Sequence, residues 1–214
     1  MPEATGTTEG KNFFDLINDG GIPAWMIVAM SFVMVALTID NIVGIRRERI
    51  VPPGTLGEIE ELFEKQEYDA AIELCEVERC FLTDVIGSGL ANLGSGWEQM
   101  DEGMTAAAEQ AATRMYQRVG YLNLIGTVAP MIGLFGTVVG IIQAFMVIAQ
   151  KGGAPKPAEL AAGIYMALVC TALGLSVAIP ALSLHFVFRG RLTRMLQEGS
   201  DVVMQMMKRF RPRA

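Results

Sequence analysis

From Val119 to Gln150 the chain reads VGYLNLIGTVAPMIGLFGTVVGIIQAFMVIAQ, without a single charge. A helix needs about twenty mostly apolar residues to cross a hydrocarbon core of roughly 30 Å. This run exceeds that minimum, and a second one follows closely. From Leu160 to Phe188 the only side chain that titrates near neutral pH is His185. A third run, Ile22 to Ile39, is also uncharged. These three runs set the fold class as an all-α membrane protein with three transmembrane helices. The whole chain, 51% hydrophobic and 19% charged, is too apolar for an ordinary soluble domain.

The first run is a retained span. Residues 1–21 carry Glu3, Glu9, Asp15 and Asp19 against one Lys11, whereas a secretory signal needs a basic segment directly before a short apolar one. Arg46, Arg47 and Arg49 follow the run as a stop-transfer pattern. The weak amphipathicity of Phe13, Phe14, Leu16 and Ile17 leaves two readings for the leader: an interfacial helix, or disorder over residues 1–11.

Charge then orients the spans. Arginines and lysines near span ends mark the cytoplasmic side. They cluster after span 1, before span 2 (Arg114, Arg118) and after span 3 (Arg189, Arg191, Arg194, Lys208, Arg209, Arg211, Arg213). The expected order is a periplasmic segment at 1–21, span 1 at 22–43 and a cytoplasmic helical domain at 44–118. Span 2 at 119–150, an outer turn at 151–159, span 3 at 160–188 and a cytoplasmic C-terminal helix at 189–214 complete it. In the inner domain Leu56, Ile59, Leu62, Phe63, Ala70, Ala71, Leu74 and Cys75 recur at helical spacing. Glu58, Glu60, Glu61, Glu64 and Glu73 fill the opposite face, most simply a solvated one. Gly87, Gly89, Gly94 and Gly96 are expected to break the pattern, with a second helix starting near Asp101 and running into span 2.

Chemistry is sparse. No phosphate-binding loop, zinc-protease motif, Ser-His-Asp spacing or dinucleotide fingerprint occurs. Three cysteines without a CxxC and one histidine argue against a metal site or a disulfide framework. Cys170 reads as a small packing residue. A net charge of −6 with few aromatics argues against nucleic-acid binding. Neither an enzyme nor a cofactor is expected.

Spans 2 and 3 carry the information. Lipid tails are as apolar as leucine, so spans associate by close packing of small residues. Span 2 has such a stripe in Gly126, Ala129, Gly133, Gly136, Thr137, Gly140 and Ala144. Span 3 has one in Gly163, Ala167, Cys170, Thr171, Gly174, Ala178 and Ala181. Span 1 is bulky on every face and is expected against lipid. Pro130 and Pro180 each remove a backbone donor inside a span, as simple kinks or as hinges. The hydroxyls of Thr137 and Thr171 lie equally far from residue 154, which places them at one depth on a symmetric hairpin. Several copies would then form a mid-membrane hydroxyl ring. The bland alternative is coincidence, with each threonine bonded to its own helix, the default for Thr127.

The segment Ala129-Pro-Met-Ile-Gly-Leu-Phe-Gly-Thr-Val-Val-Gly140 resembles the second-span signature of the ExbB/TolQ/MotA proton-channel family. Gly163-Ile-Tyr-Met-Ala-Leu-Val-Cys-Thr-Ala-Leu-Gly-Leu-Ser-Val-Ala-Ile-Pro-Ala181 resembles its third-span signature. The three-span layout is similar to ExbB and TolQ rather than to four-span MotA. More weakly, Phe63 to Cys75 resembles the family's cytoplasmic helix. The resemblance implies a homo-oligomeric ring, a pentamer, in a bacterial inner membrane. Its pore would hold a dimeric single-span partner like ExbD or TolR, whose aspartate carries the proton. It implies that Thr137 and Thr171 face the pore and that Gly133, Gly136, Gly140, Gly174, Pro130 and Pro180 shape it. The function implied is the scaffold of a proton-driven motor acting on the cell envelope. One departure stands out: Met166 occupies a position where ExbB and TolQ commonly carry Glu, and His185 one where they often carry Tyr. Met166 favours an alternative, a non-conducting structural scaffold or anchoring bundle.

Overall fold

The computed structural model describes residues 17–150 and 157–211. Among these residues there are helices and no strand. In order they are α1 (Gly21–Gly44), α2 (Arg47–Ile50), α3 (Pro53–Lys65), α4 (Tyr68–Val77), α5 (Phe81–Leu90), α6 (Trp97–Gln150) and α7 (Pro157–Met207). Short 3-10 turns lie at Leu93–Ser95 and Lys208–Phe210. Helices α1, α6 and α7 are each long and apolar enough to cross a membrane. Most of the leader in question, residues 1–16, and the turn residues 151–156 lie outside the described residues. Pro130 and Pro180 sit inside α6 and α7 without ending them. Helix α7 continues through Arg189, Arg191 and Arg194 to Met207.

The chain divides into two compact units. The first, residues 1–37 and 122–184, holds the apolar stretches. Its core joins Ile27 of α1 to Ile125 and Ala129 of α6 and to Val177, Ala178 and Ala181 of α7. Met30, Met34 and Leu37 extend the same stripe of α1. Trp25, Met26, Phe32, Val33 and Val35, off that stripe, stay exposed. Helices α6 and α7 pack far more closely. A Cβ on Gly140 would lie 2.6 Å from the Gly163 carbonyl oxygen, and one on Gly174 would lie 2.7 Å from that of Ala129. The two small-residue stripes therefore meet each other within one chain. They hold the antiparallel hairpin together.

The second unit comprises residues 38–121 and 185–214. Pro53 opens α3 at its first turn, where a missing N–H costs nothing. Gln66 ends it in the left-handed region at φ 61°, its N–H reaching the Leu62 and Phe63 carbonyls. Ile59 and Phe63 of α3, with Ala71 and Cys75 of α4, are buried, while Glu58, Glu60, Glu61, Glu64 and Glu73 stay exposed. Thr83 fixes the start of α5 by accepting the Cys80 N–H at 2.9 Å. Contrary to the sequence expectation, Gly87 and Gly89 do not break this helix. A Cβ on Gly89 would lie 2.7 Å from Met104 Cγ, so this glycine permits close approach of α6. Punctuation comes later, at Gly96 with φ 102°. Phe63, Tyr68 and Phe210 stack edge to face with centroids 5.3–6.0 Å apart and anchor the C-terminal turn.

Burial, aided by the nearby Cys80 and Asp84, pushes the Cys75 thiol up to about 11. The folded state favours the neutral thiol, whose ordinary value is 9.0. The associated stability is full below 9.0 and is lost as pH rises toward about 11. Because the thiolate is the nucleophile, iodoacetamide at pH 8 should modify Cys75 far more slowly in the native protein than in urea. Peptide mass spectrometry reads this directly, and equal rates in the two states would contradict the burial.

Candidate functional site

The first unit carries an open apolar groove of about 460 Å³ between α6 and α7. Ile141, Phe145 and Ile148 line it from α6, and Leu160, Ile164 and Leu168 from α7. Thr137, also in the wall, supplies the one hydroxyl. Thr137 is half-buried and donates to the Leu134 carbonyl at 2.6 Å. Thr171, also half-buried, reaches the Ala167 carbonyl only at 3.4 Å, beyond the usual O–H···O range of about 2.5–3.0 Å. Its own helix thus holds it weakly. Thr127 donates to Asn123 at 2.9 Å, the default expected of it.

The two threonines lie on the facing stretches of the hairpin. A Cβ on Gly133 would lie 3.2 Å from the Thr171 Cα, and one on Gly140 would lie 3.0 Å from the Ala167 nitrogen. Thr171 therefore sits beside Gly133, and Thr137 nearer Ala167. These contacts keep the two threonines within about one helical turn of each other. Gly136 faces Cys170, where a Cβ would meet the Cys170 Cβ.

Cys170 and Met166 have roles that local sequence does not reveal. Cys170 is fully buried, and its thiol donates to the Gly20 carbonyl at 3.2 Å. Met166 is buried, its Cε 2.9 Å from where a Cβ on Gly21 would stand. That glycine adopts φ +63°, a conformation glycine takes without penalty. Met166 thus fills the junction between α7 and the start of α1. His185 belongs to the second unit, where its buried Nδ1 lies 3.1 Å from the Val119 carbonyl. No aspartate or glutamate lies between 119 and 150 or between 160 and 188. Asp40, near the end of α1, belongs to the second unit and borders a small cleft with Asn41 and Arg118.

The family model described as the MotA/TolQ/ExbB proton channel family matches residues 76–200, more than half of the chain. The chain belongs to the MotA/TolQ/ExbB proton channel family. It is also similar to a biopolymer transport protein ExbB homolog of Methanothermobacter thermautotrophicus, with 29% identity over 186 residues. That match covers 85% of this chain and 66% of the relative. The biopolymer transport protein ExbB of Salmonella typhimurium is 41% identical over 88 residues, 41% of this chain and 36% of its own length. ExbB of Pseudomonas putida is 42% identical over 93 residues, 44% of this chain and 28% of its own length. The chain thus spans from about a quarter to about two thirds of these relatives. Family membership and three apolar helices make this a multi-pass membrane protein of the proton-channel family.

Proposed function

We propose that this MotA/TolQ/ExbB family member is the scaffold of a proton-driven inner-membrane motor. Several copies, five by analogy with the family, close into a ring around a dimeric single-span partner of the ExbD or TolR kind. The observation that carries this reading is a pair of hydroxyls on two long apolar runs, 119–150 and 160–188, that hold no carboxylate. A proton crossing the membrane needs a titrating group or a water wire. With no carboxylate in the uncharged runs 119–150 and 160–188, the carrier comes from the partner's aspartate. In hydrocarbon such an aspartate stays protonated, because the charged form is poorly solvated. A threonine donating to it stabilises the anion by about 1.5–3 kcal/mol. Thr171, weakly held by its own helix, is free to turn toward that carboxylate, and Thr137 offers a second donor within about one helical turn. Ring rotation passes the carboxylate from one subunit's pair to the next.

The charge pattern supports an N-terminus outside and a C-terminus inside. A cysteine placed at Ala154 should react with a membrane-impermeant maleimide on intact cells, and one at Gln99 only after permeabilisation. The opposite accessibility would overturn the orientation. Native mass spectrometry in mild detergent should find a homo-oligomer that retains the single-span partner. A stable monomer would count against the ring. A second reading, a non-conducting anchoring bundle, draws on Met166, an apolar gap-filler where relatives of the ExbB type commonly carry Glu. It predicts the same oligomer with no proton flux.

A further inference from the structure

The second unit contains a cavity of about 320 Å³ whose wall holds Arg49, Arg79, Arg114 and Arg118. Asp84 is the only acidic residue in that wall. It pairs with Arg114 at 2.9 Å. The other three arginines have no ion pair among the described residues. Four arginines and a single carboxylate leave this wall net positive in a chain of net charge −6, with the arginines exposed to incoming anions. The cavity is also amphiphilic. Ile50 and Phe81 are buried in its wall, and Met115 lies half-buried beside them.

Its position in the chain is specific. Gly44, the last residue of α1, lines it, and Arg118 immediately precedes the uncharged run of α6. The arginines therefore stand beside the ends of two uncharged runs, where a span's charged flank is expected. A smaller cleft shares Gly44, Ile50, Met115 and Arg118 and continues the apolar surface to Leu192. Guanidinium forks match phosphate oxygens in pairs, and basic pockets at helix ends on the cytoplasmic side suit anionic headgroups.

We propose that this cavity binds a phosphate-bearing ligand, the chemistry shared by an anionic phospholipid headgroup and a soluble phosphate. The apolar wall and the place beside two span ends favour the phospholipid. The arginines take the headgroup phosphate, and Ile50, Phe81 and Met115 cover the glycerol and first methylenes. The site lies apart from the groove at Thr137.

The test uses delipidated full-length protein in detergent, titrated with phosphatidylglycerol, phosphatidylcholine or inorganic phosphate and read by native mass spectrometry. Phosphatidylglycerol should bind in preference to phosphatidylcholine. Arg79→Gln/Arg118→Gln should weaken it by on the order of tenfold, and Arg191→Gln/Arg194→Gln, with the same charge loss outside the cavity, should not. Failure of millimolar inorganic phosphate to displace the lipid assigns the site to phospholipid. Displacement that the double variant abolishes assigns it to a soluble phosphate. Thermal melting checks that the variants fold, and Arg79→Lys/Arg118→Lys, which keeps charge but loses the fork, should bind with intermediate strength. Equal phosphatidylglycerol binding by wild type and the glutamine variant, or equal loss in the control, would overturn the proposal.

Discussion

Thr171→Val should leave the protein folded and assembled yet reduce proton-dependent work at least tenfold. Valine has nearly the shape of threonine, and the lost hydroxyl makes only a 3.4 Å contact with its own helix. Stability should therefore change little. Function should change much, because a charge-assisted hydrogen bond of about 1.5–3 kcal/mol corresponds to about ten- to a hundredfold in rate. Thr137→Val should act in the same direction less severely, since that hydroxyl is already engaged at 2.6 Å. Thr127→Val removes a 2.9 Å bond within its own helix and should be mild. Wild-type flux in Thr171→Val with its partner present would remove Thr171 from the proton path.

The second large effect concerns the hairpin. Replacing glycine by alanine in an open helix stabilises by about 0.5–1 kcal/mol. At Gly140 and Gly174 the sign should reverse, because the new methyl would meet backbone oxygens at 2.6 and 2.7 Å. Backbone is slow to yield, and overpacking of this kind costs about 1–3 kcal/mol or more. Gly140→Ala and Gly174→Ala should therefore lower the melting temperature and the yield of folded protein. Gly120→Ala and Gly190→Ala, where nothing lies within 4 Å, should be neutral or slightly stabilising. A melting temperature for Gly140→Ala at or above wild type would contradict the close packing of α6 on α7.

These two predictions also mark what the sequence discloses. Runs without charge announce α1, α6 and α7, because a membrane's need for apolar length is met by composition alone. Stripes of small residues announce close packing, but not against what. Gly140 and Gly163 meet within one chain, and no periodicity distinguishes that from contact between copies. The level of Thr171 beside Gly133 depends on how the hairpin closes, a tertiary matter that local sequence does not fix. Gly87 and Gly89 look like breakers by propensity, yet packing on Cys75 and Met104 keeps them helical. The Cys170 bond to Gly20 joins residues 150 positions apart, and the four arginines come together from three separate segments. Neither leaves a local signal.

Proton flux in proteoliposomes measures the proposed role most directly. The chain alone, the single-span partner alone and the two together are reconstituted, and an imposed pH gradient is followed with an entrapped dye. With no carboxylate between 119 and 150 or between 160 and 188, the chain alone should be proton-tight, and flux should appear only when both are present and fall sharply with Thr171→Val. Proton flux through the chain alone, or none through the complete assembly, would contradict it.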